Sequence, residues 1–499
     1  MKVKEKYNEF PAEVYSKTVL APDFDTYRNV FANELHEINL AQTVMLHKQG
    51  LLSHAEASSI AEGLFHIIEN HDFDSMKYDG SFEDLFFVIE RELAKRIGIN
   101  VSGKLHTGRS RNDMEHTMFR IVLKKKLIEN LELHEHVIQT LIEKSHNNLE
   151  EIILLYTHGQ PAQPSTLAHY LGAVIEIVLR DMQRITMALK TVDFCPMGAA
   201  AITTSGFNLD RQMMAELLGF QDCVENSYGA IAACDYITES YSALKLSCIN
   251  LGRFVQDLVY WTGFEVSQLY IPDGLVQISS IMPQKRNPVP VEHLRLMLSL
   301  ASGGAEQIIN TMHNTPFADM NDSERETQST GHQVFERMKR ALSLLSGFIE
   351  AIEVNRKSVN KRINTSLATI TELADSIVRN EEISFRQAHQ ITHKIAKTSI
   401  ENNKPLNDFR FEEYCDYFKS EIGKTPKMTS KLFNQISDPK NFISVRTMRG
   451  GPSKESMRKS LDKYIGVLEA LKKEIIDLKT RSEIASKNCQ QSAKKLIDY

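Results

Sequence analysis

Apolar residues recur along this chain at helical spacing over long stretches. No proline falls between Pro196 and Pro272, and there Ile237, Tyr241, Leu244, Cys248, Leu251, Val255 and Leu258 step by four and three in turn. No proline falls between Pro316 and Pro405 either, and Phe335, Met338, Leu342, Leu345, Ile349 and Ile352 step by three and four. Leu127, Leu131, Ile138 and Leu141 follow the same template, with His134 interrupting it. Proline breaks helix interiors, so such gaps leave room for very long helices. Heptad-like seams are those of helices that pack in bundles. Two-residue alternation is scarce, so few strands are expected. The pattern predicts a mainly α chain in three regions. These are a helical N-terminal domain over 1–112, a central long-helix bundle over 113–362 and a smaller helical domain over 363–499. The seams are too extended for one helix to bury, which implies a bundle shared between subunits.

Composition narrows the class. The 499 residues suffice for several folding units and a large core, and the formal net charge of −5 is spread without like-charge blocks. Nothing there points to nucleic acid or to a membrane surface. The opening MKVKEKYNEF has no leader-type apolar run, and no stretch approaches the ~20 apolar residues of a membrane span. Six scattered cysteines, none in a C-x-x-C pair, read as reduced thiols of a cytoplasmic protein. Neither a strand-linked G-x-G-x-x-G, nor a P-loop, nor a metal-ligand cluster occurs, so no cofactor or metal is implied.

Three segments carry candidate chemistry. SSIMPQKRNP, Ser279 to Pro288, follows IPDGLVQ and precedes the helix-like VPVEHLRLML. It is a loop feeding a helix, where a mobile catalytic segment is physically plausible. KLHTGRSRND, Lys104 to Asp113, puts arginines, a serine and an asparagine just before a helical run. Arginine forks bind carboxylates, and a helix N-terminus favours anions. YTHGQPAQP, Tyr156 to Pro164, contributes a threonine, a histidine and a glutamine. Each has a plain alternative: a polar loop, a helix cap with solvated arginines, and a structural histidine.

Together these segments resemble the fumarase/aspartase superfamily, and HTGRSRND and AQP are most similar to its argininosuccinate lyase branch. Weaker matches, MLHKQGLL, FEDLFFVIE, NSYGAIAACDYI and VRTMRGGPS, fall in family order. The resemblance implies a homotetramer of long-helix bundles whose active sites draw the three segments from three different subunits. It implies elimination of fumarate from an N-substituted succinate, argininosuccinate before others, in arginine biosynthesis. Removing a weakly acidic proton beside a carboxylate needs a base, and the developing dianion needs donors and positive charge. By resemblance Ser279 is the base, with Ser280 the alternative, and Lys285 and Asn287 stabilise the aci-carboxylate. Ser110, Arg111 and Asn112 hold a substrate carboxylate, while Arg109 serves structure. Thr157 and His158 are site residues, Gln160 is a polar contact, and Glu292 pairs with His158 to orient its ring.

Departures gather where the leaving amine would sit. Ile278 replaces a glycine before the serine pair, and Phe86 stands where the family has a histidine. Cys234 replaces an arginine, and TPFAD, Thr315 to Asp319, lacks the family's tyrosine and lysine. Two other functions therefore stay open. One is a related C–N lyase acting on another N-substituted aspartate, as lyases of ethylenediamine disuccinate do. The other is a non-catalytic structural protein of the lens-crystallin type.

Overall fold

The computed structural model describes residue 7 and residues 9–70 and 76–498. Most of the opening segment read above for a leader lies outside the described residues. Among the described residues, no helix is long and apolar enough to cross a membrane. After a helical segment over 13–31 come α1 (Ala32–Lys48), α2 (His54–Asn70) and α3 (Leu85–Ile97). Their apolar faces form a core around Phe31, Leu35, Ile60, Leu64, Leu85 and Phe119.

Five long helices build the centre of the chain, and the three predicted seams lie in the first, third and fifth of them. They are α4 (Arg111–Asn147), α5 (Leu167–Val192), α6 (Asp235–Thr262), α7 (Val289–Thr311) and α8 (Arg325–Ala351). In chain order each packs on the next, and α8 returns to α4, which closes a ring. Leu127, Leu131, Ile175, Leu244, Leu251, Leu294, Met338 and Leu345 meet inside it. Cross-helix bonds fix the directions. Arg120 donates to the Thr191 carbonyl at 2.9 Å, and Asn250 donates to Asp181 at 2.9 Å. Arg295 reaches Gln256 at 3.3 Å, and Lys126 reaches Glu336 at 3.3 Å. So α4, α6 and α8 run one way and α5 and α7 the other. At about 1.5 Å per residue, the 37 residues of α4 span roughly 55 Å.

His134, the interruption in the first seam, is buried inside the ring. Burial lowers its pKa to about 4, so the ring is neutral. Its Nδ1 donates to the Asn130 carbonyl at 2.8 Å, which leaves Nε2 to accept from the Ser247 hydroxyl at 2.7 Å. A polar pair therefore crosses the seam with both groups satisfied.

Strands are few and short. β1 (Ile152–Thr157) and β2 (Gln160–Thr166) form a hairpin between α4 and α5. β3 (Gln277–Ile278) and β4 (Arg286–Asn287) pair antiparallel just before α7. Beyond the bundle, α9 (Ile370–Glu381), α10 (Phe385–Glu401) and α11 (Phe411–Ile422) enclose a small separate core with Tyr414, Phe418 and Phe433. The last helix, α12 (Lys454–Lys495), does not join it. Leu461, Leu468 and Leu478 enter the bundle core, while Cys489 and Ala493 enter the N-terminal core, so this helix ties the two together. On the outer faces of α6 and α7, Leu246, Ile249, Leu296 and Leu300 are exposed.

Leu244 is fully buried at the centre of the α6 seam. Leu244→Ala should destabilise the protein by roughly 2–5 kcal/mol through the cavity it leaves. A thermal melt should show a clear fall in Tm, and an unchanged Tm would mean the ring does not carry the stability.

Candidate active site

The segment before α4 is shaped by one buried carboxylate. Asp113 Oδ1 accepts the Ser110 N–H at 2.9 Å, and Oδ2 accepts the N–H groups of Gly198 at 3.0 Å and Ala200 at 2.9 Å. Ser110 caps the helix, its Oγ accepting from the Asn112 N–H at 3.3 Å and donating to Asn112 Oδ1 at 3.0 Å. Burial pushes the Asp113 carboxyl up to about 6, against the pull of its N–H donors. The motif's glycine is required: Gly108 has φ +69°, and a Cβ there would lie 2.8 Å from Leu209. Arg109 is buried with Nη1 on Asn39 Oδ1 at 2.8 Å, a structural placement.

Arg111 and Asn112 line a cavity of about 490 Å³ at this end of the bundle. The α4 positions one turn on, Glu115 and His116, line it too, as do Glu324 and Arg325 at the start of α8 and Asp319 before it. The helical segment over 13–31 closes one side through Tyr15, Val19 and Asp23. The cations are already engaged. Arg111 Nη1 bonds Asp84 at 2.9 Å and pairs with Glu83 at 3.1 Å. Arg325 Nη2 bonds Glu115 at 2.6 Å and Asp84 at 3.1 Å. Sequence reasoning missed Glu115, His116, Asp319, Glu324 and Arg325. The signal for the first two was helical spacing from Arg111 and Asn112.

The altered positions separate. Phe86 does not face this cavity. It is buried in the N-terminal core against Phe87 and His106, with ring centroids 5.2 and 5.3 Å away. Its place on an inward face of α3 explains an aromatic there, and the expectation that it touches the amine is corrected. Cys234 is half-buried just before α6, and Phe317 is exposed with its ring 5.8 Å from Tyr228. A second cavity of about 460 Å³, between α4 and α12, contains none of the expected site residues.

The other segments occupy the opposite end of the bundle. Thr157 and Gln160 pair across the tip of the β1–β2 hairpin, with His158 at φ 54° and Gly159 at φ 72° between them. A two-residue turn with both φ values positive matches strand twist and favours glycine, which accounts for Gly159. The turn projects His158 into solvent. Beyond α6, the β3–β4 pair holds the loop over 279–285. Ser279 Oγ accepts the N–H groups of Ile281 at 3.3 Å and Met282 at 3.0 Å. Two N–H donors on that oxygen favour its anionic form. No such pair of donors is directed at Ser280 among the described residues. Lys285 is exposed, Asn287 lies in β4, and Glu292 is exposed in the first turn of α7. Ile278 and Ile281 stand open to solvent, 75 % and 82 % exposed, which is unusual for apolar residues on a tied loop.

One chain thus brings Ser110, Arg111 and Asn112 together with the cavity at one end. It sets Thr157, His158, Gln160, Ser279, Lys285, Asn287 and Glu292 on the opposite end. Among the described residues, no hydrogen bond or ion pair joins Glu292 to His158.

A closed ring of long helices, a cradled serine in a strand-tied loop and an arginine-lined cavity at a helix start define a lyase of the fumarase/aspartase superfamily. A sequence model described as lyase matches residues 25–303, and one for the argininosuccinate lyase C-terminal region matches residues 367–444. The chain is 46% identical to argininosuccinate lyase 2 of Agrobacterium fabrum over 467 residues, 94% of this chain and 93% of that one. It is 34% identical to argininosuccinate lyase of Methanosarcina barkeri over 451 residues, 90% of each. A crystal structure of EDDS lyase in complex with formate superposes with a TM-score of 0.86 at 25% identity, covering 97% of each chain. The chain belongs to the argininosuccinate lyase branch of that superfamily.

Asp113→Ala would orphan buried N–H groups of Gly198 and Ala200 and loosen the α4 cap. A loss on the order of 2–4 kcal/mol is expected, read as a lower Tm, together with weaker fumarate binding by calorimetry. Unchanged fumarate affinity would separate the cap from the site.

Proposed function

We propose that the protein eliminates fumarate from argininosuccinate and releases arginine, as a cytoplasmic enzyme of arginine biosynthesis. The observation that carries the elimination is the Ser279 hydroxyl, held by two backbone N–H groups inside the superfamily's loop motif. The names of the relatives support the choice of argininosuccinate.

In this scheme the Ser279 alkoxide removes the proton from the carbon beside the succinyl carboxylate. The electron pair enters that carboxylate, and Lys285 and Asn287 stabilise the resulting dianion. The pair then returns to form the double bond as the C–N bond breaks. The amine leaves with the bonding electrons and takes up a proton. Ser110, Arg111 and Asn112 hold the other carboxylate, using the α4 N-terminus. Thr157 and Gln160 add polar contacts, and His158, oriented by Glu292, moves protons. These groups lie at both ends of a bundle roughly 55 Å long, so the scheme requires a homotetramer in which different copies complete each site. The apolar residues exposed on α6, α7 and the serine loop support such an assembly.

A second substrate, another N-substituted aspartate, is favoured by the likeness to EDDS lyase and by the altered residues Cys234 and Phe317. Ser279→Ala should lower kcat for fumarate release by roughly 10²–10⁴-fold with the sedimentation mass unchanged. Near-normal turnover would remove Ser279 from the mechanism. Fumarate formed without arginine, from an aminocarboxylate but not from argininosuccinate, would favour the second substrate.

A further inference from the structure

The serine motif carries two adjacent cations, Lys285 and Arg286. Within their own chain they differ. Lys285 closes the turn of the loop, its N–H donating to the Met282 carbonyl at 3.0 Å, and among the described residues no group bonds its ammonium. Arg286 is held at three points. Its Nη2 donates to the Ile271 carbonyl at 2.6 Å, its Nη1 donates to the Asp273 carboxylate, and its guanidinium lies 5.1 Å from the centre of the Tyr270 ring. A planar guanidinium can make all three contacts at once, two through its fork and one through its face.

The anchor is firm because its other side is core. Leu269 and Ile271 are buried in the bundle core, whereas Tyr270 between them is exposed. Leu269 and Tyr270 pair antiparallel with Val354 and Glu353, just past α8. Arg286 therefore grips the outer face of a stretch that the bundle itself holds. In the neck of the loop, Arg286 pairs with Ile278 and Asn287 with Gln277. Side chains alternate along extended backbone, so pinning Arg286 to one face turns its neighbours Lys285 and Asn287 to the other.

We propose that Arg286 is a positioning residue for Lys285 and Asn287: bound to Asp273 and Ile271, it sets the face they present and itself touches no substrate. The proposal rests on the elimination reading above. Stabilising a dianion depends on where the donors stand, and a misplacement of about 1 Å can cost on the order of 100-fold in rate. An exposed ion pair adds little to stability, so this latch should matter to turnover and not to folding.

The test compares Arg286→Ala, Arg286→Lys, Asp273→Ala and the double alanine variant in the assembled protein, by steady-state kinetics, fumarate calorimetry, thermal melts and hydrogen exchange. Arg286→Ala should lower kcat at least about tenfold, with KM and fumarate affinity within about twofold of wild type and Tm unchanged. Exchange should quicken in the peptide over 277–288 and stay as it was in the bundle helices. Arg286→Lys keeps a charge opposite Asp273 and should recover part of kcat. Asp273→Ala should lower kcat too, and the double variant should be no worse than Arg286→Ala alone, since both break one contact. The Asp273 side chain is 82 % exposed, so its variant still decides should Arg286→Ala fail to fold. A raised KM with weaker fumarate binding and kcat retained would make Arg286 a substrate contact and overturn the inference. Unchanged kcat, additive losses, or a lower Tm with exchange quickened throughout would overturn it as well. A wild-type protein that releases no fumarate from argininosuccinate or any N-substituted aspartate tried would instead overturn the elimination reading, and loop exchange would then decide whether Arg286 holds the loop.

Discussion

The buried carboxylate of Asp113 fixes the cavity end of this molecule. It stands in the first turn of the longest bundle helix, takes the N–H of the capping residue and takes two more from the chain at Gly198 and Ala200. The start of α4, and with it Ser110, Arg111 and Asn112, is thereby anchored to a second stretch of backbone. Everything one turn further on, Glu115 and His116 included, inherits its position from that anchor. An acceptor removed from water is costly unless it is bonded, and here both oxygens are. The same contact therefore stabilises the fold and sets the geometry of the cavity end.

The second constraint is length. A helix that presents a heptad-like seam over 37 residues must find neighbours along its whole extent, and five helices closing into a ring supply them. Such a rod separates its ends by roughly 55 Å, so residues at opposite ends of one chain cannot share a small substrate. Ser279 and its loop stand at one end and Arg111 and Asn112 at the other. A chemistry that needs both calls for neighbouring copies set with opposite ends together. The apolar residues left open on α6, α7 and the loop are those that an assembly would cover.

Much of this was legible in the residues. The proline-free stretches and their seams marked α4, α6 and α8, because burial in a ring enforces one apolar stripe per helix. The serine loop before a helix and the arginine-rich segment at a helix start were likewise readable from turn and cap chemistry. The cavity wall was not. Asp319 and Glu324 come from an irregular segment with no period, and a lone carboxylate there reads as solvated surface. Phe86 was misplaced for a related reason. The resemblance put it where the family has a histidine, while the helical face of α3 turned it into the core. The role of α12, spanning two cores, depends on tertiary packing that no local pattern announces.

The claim that one site is built from opposite ends of different copies has a direct measurement. Ser279→Ala removes the proposed base at one end, and Asn112→Asp sets a like charge against the carboxylate proposed to bind at the other, where a helix N-terminus tolerates an acid. Each variant alone should be nearly inactive. Co-assembled into mixed tetramers, with mixing verified by mass, they should regain a measurable share of fumarate-forming activity, since some sites then draw both residues from unaltered ends. Verified mixed tetramers that remain as inactive as their parents would contradict the account.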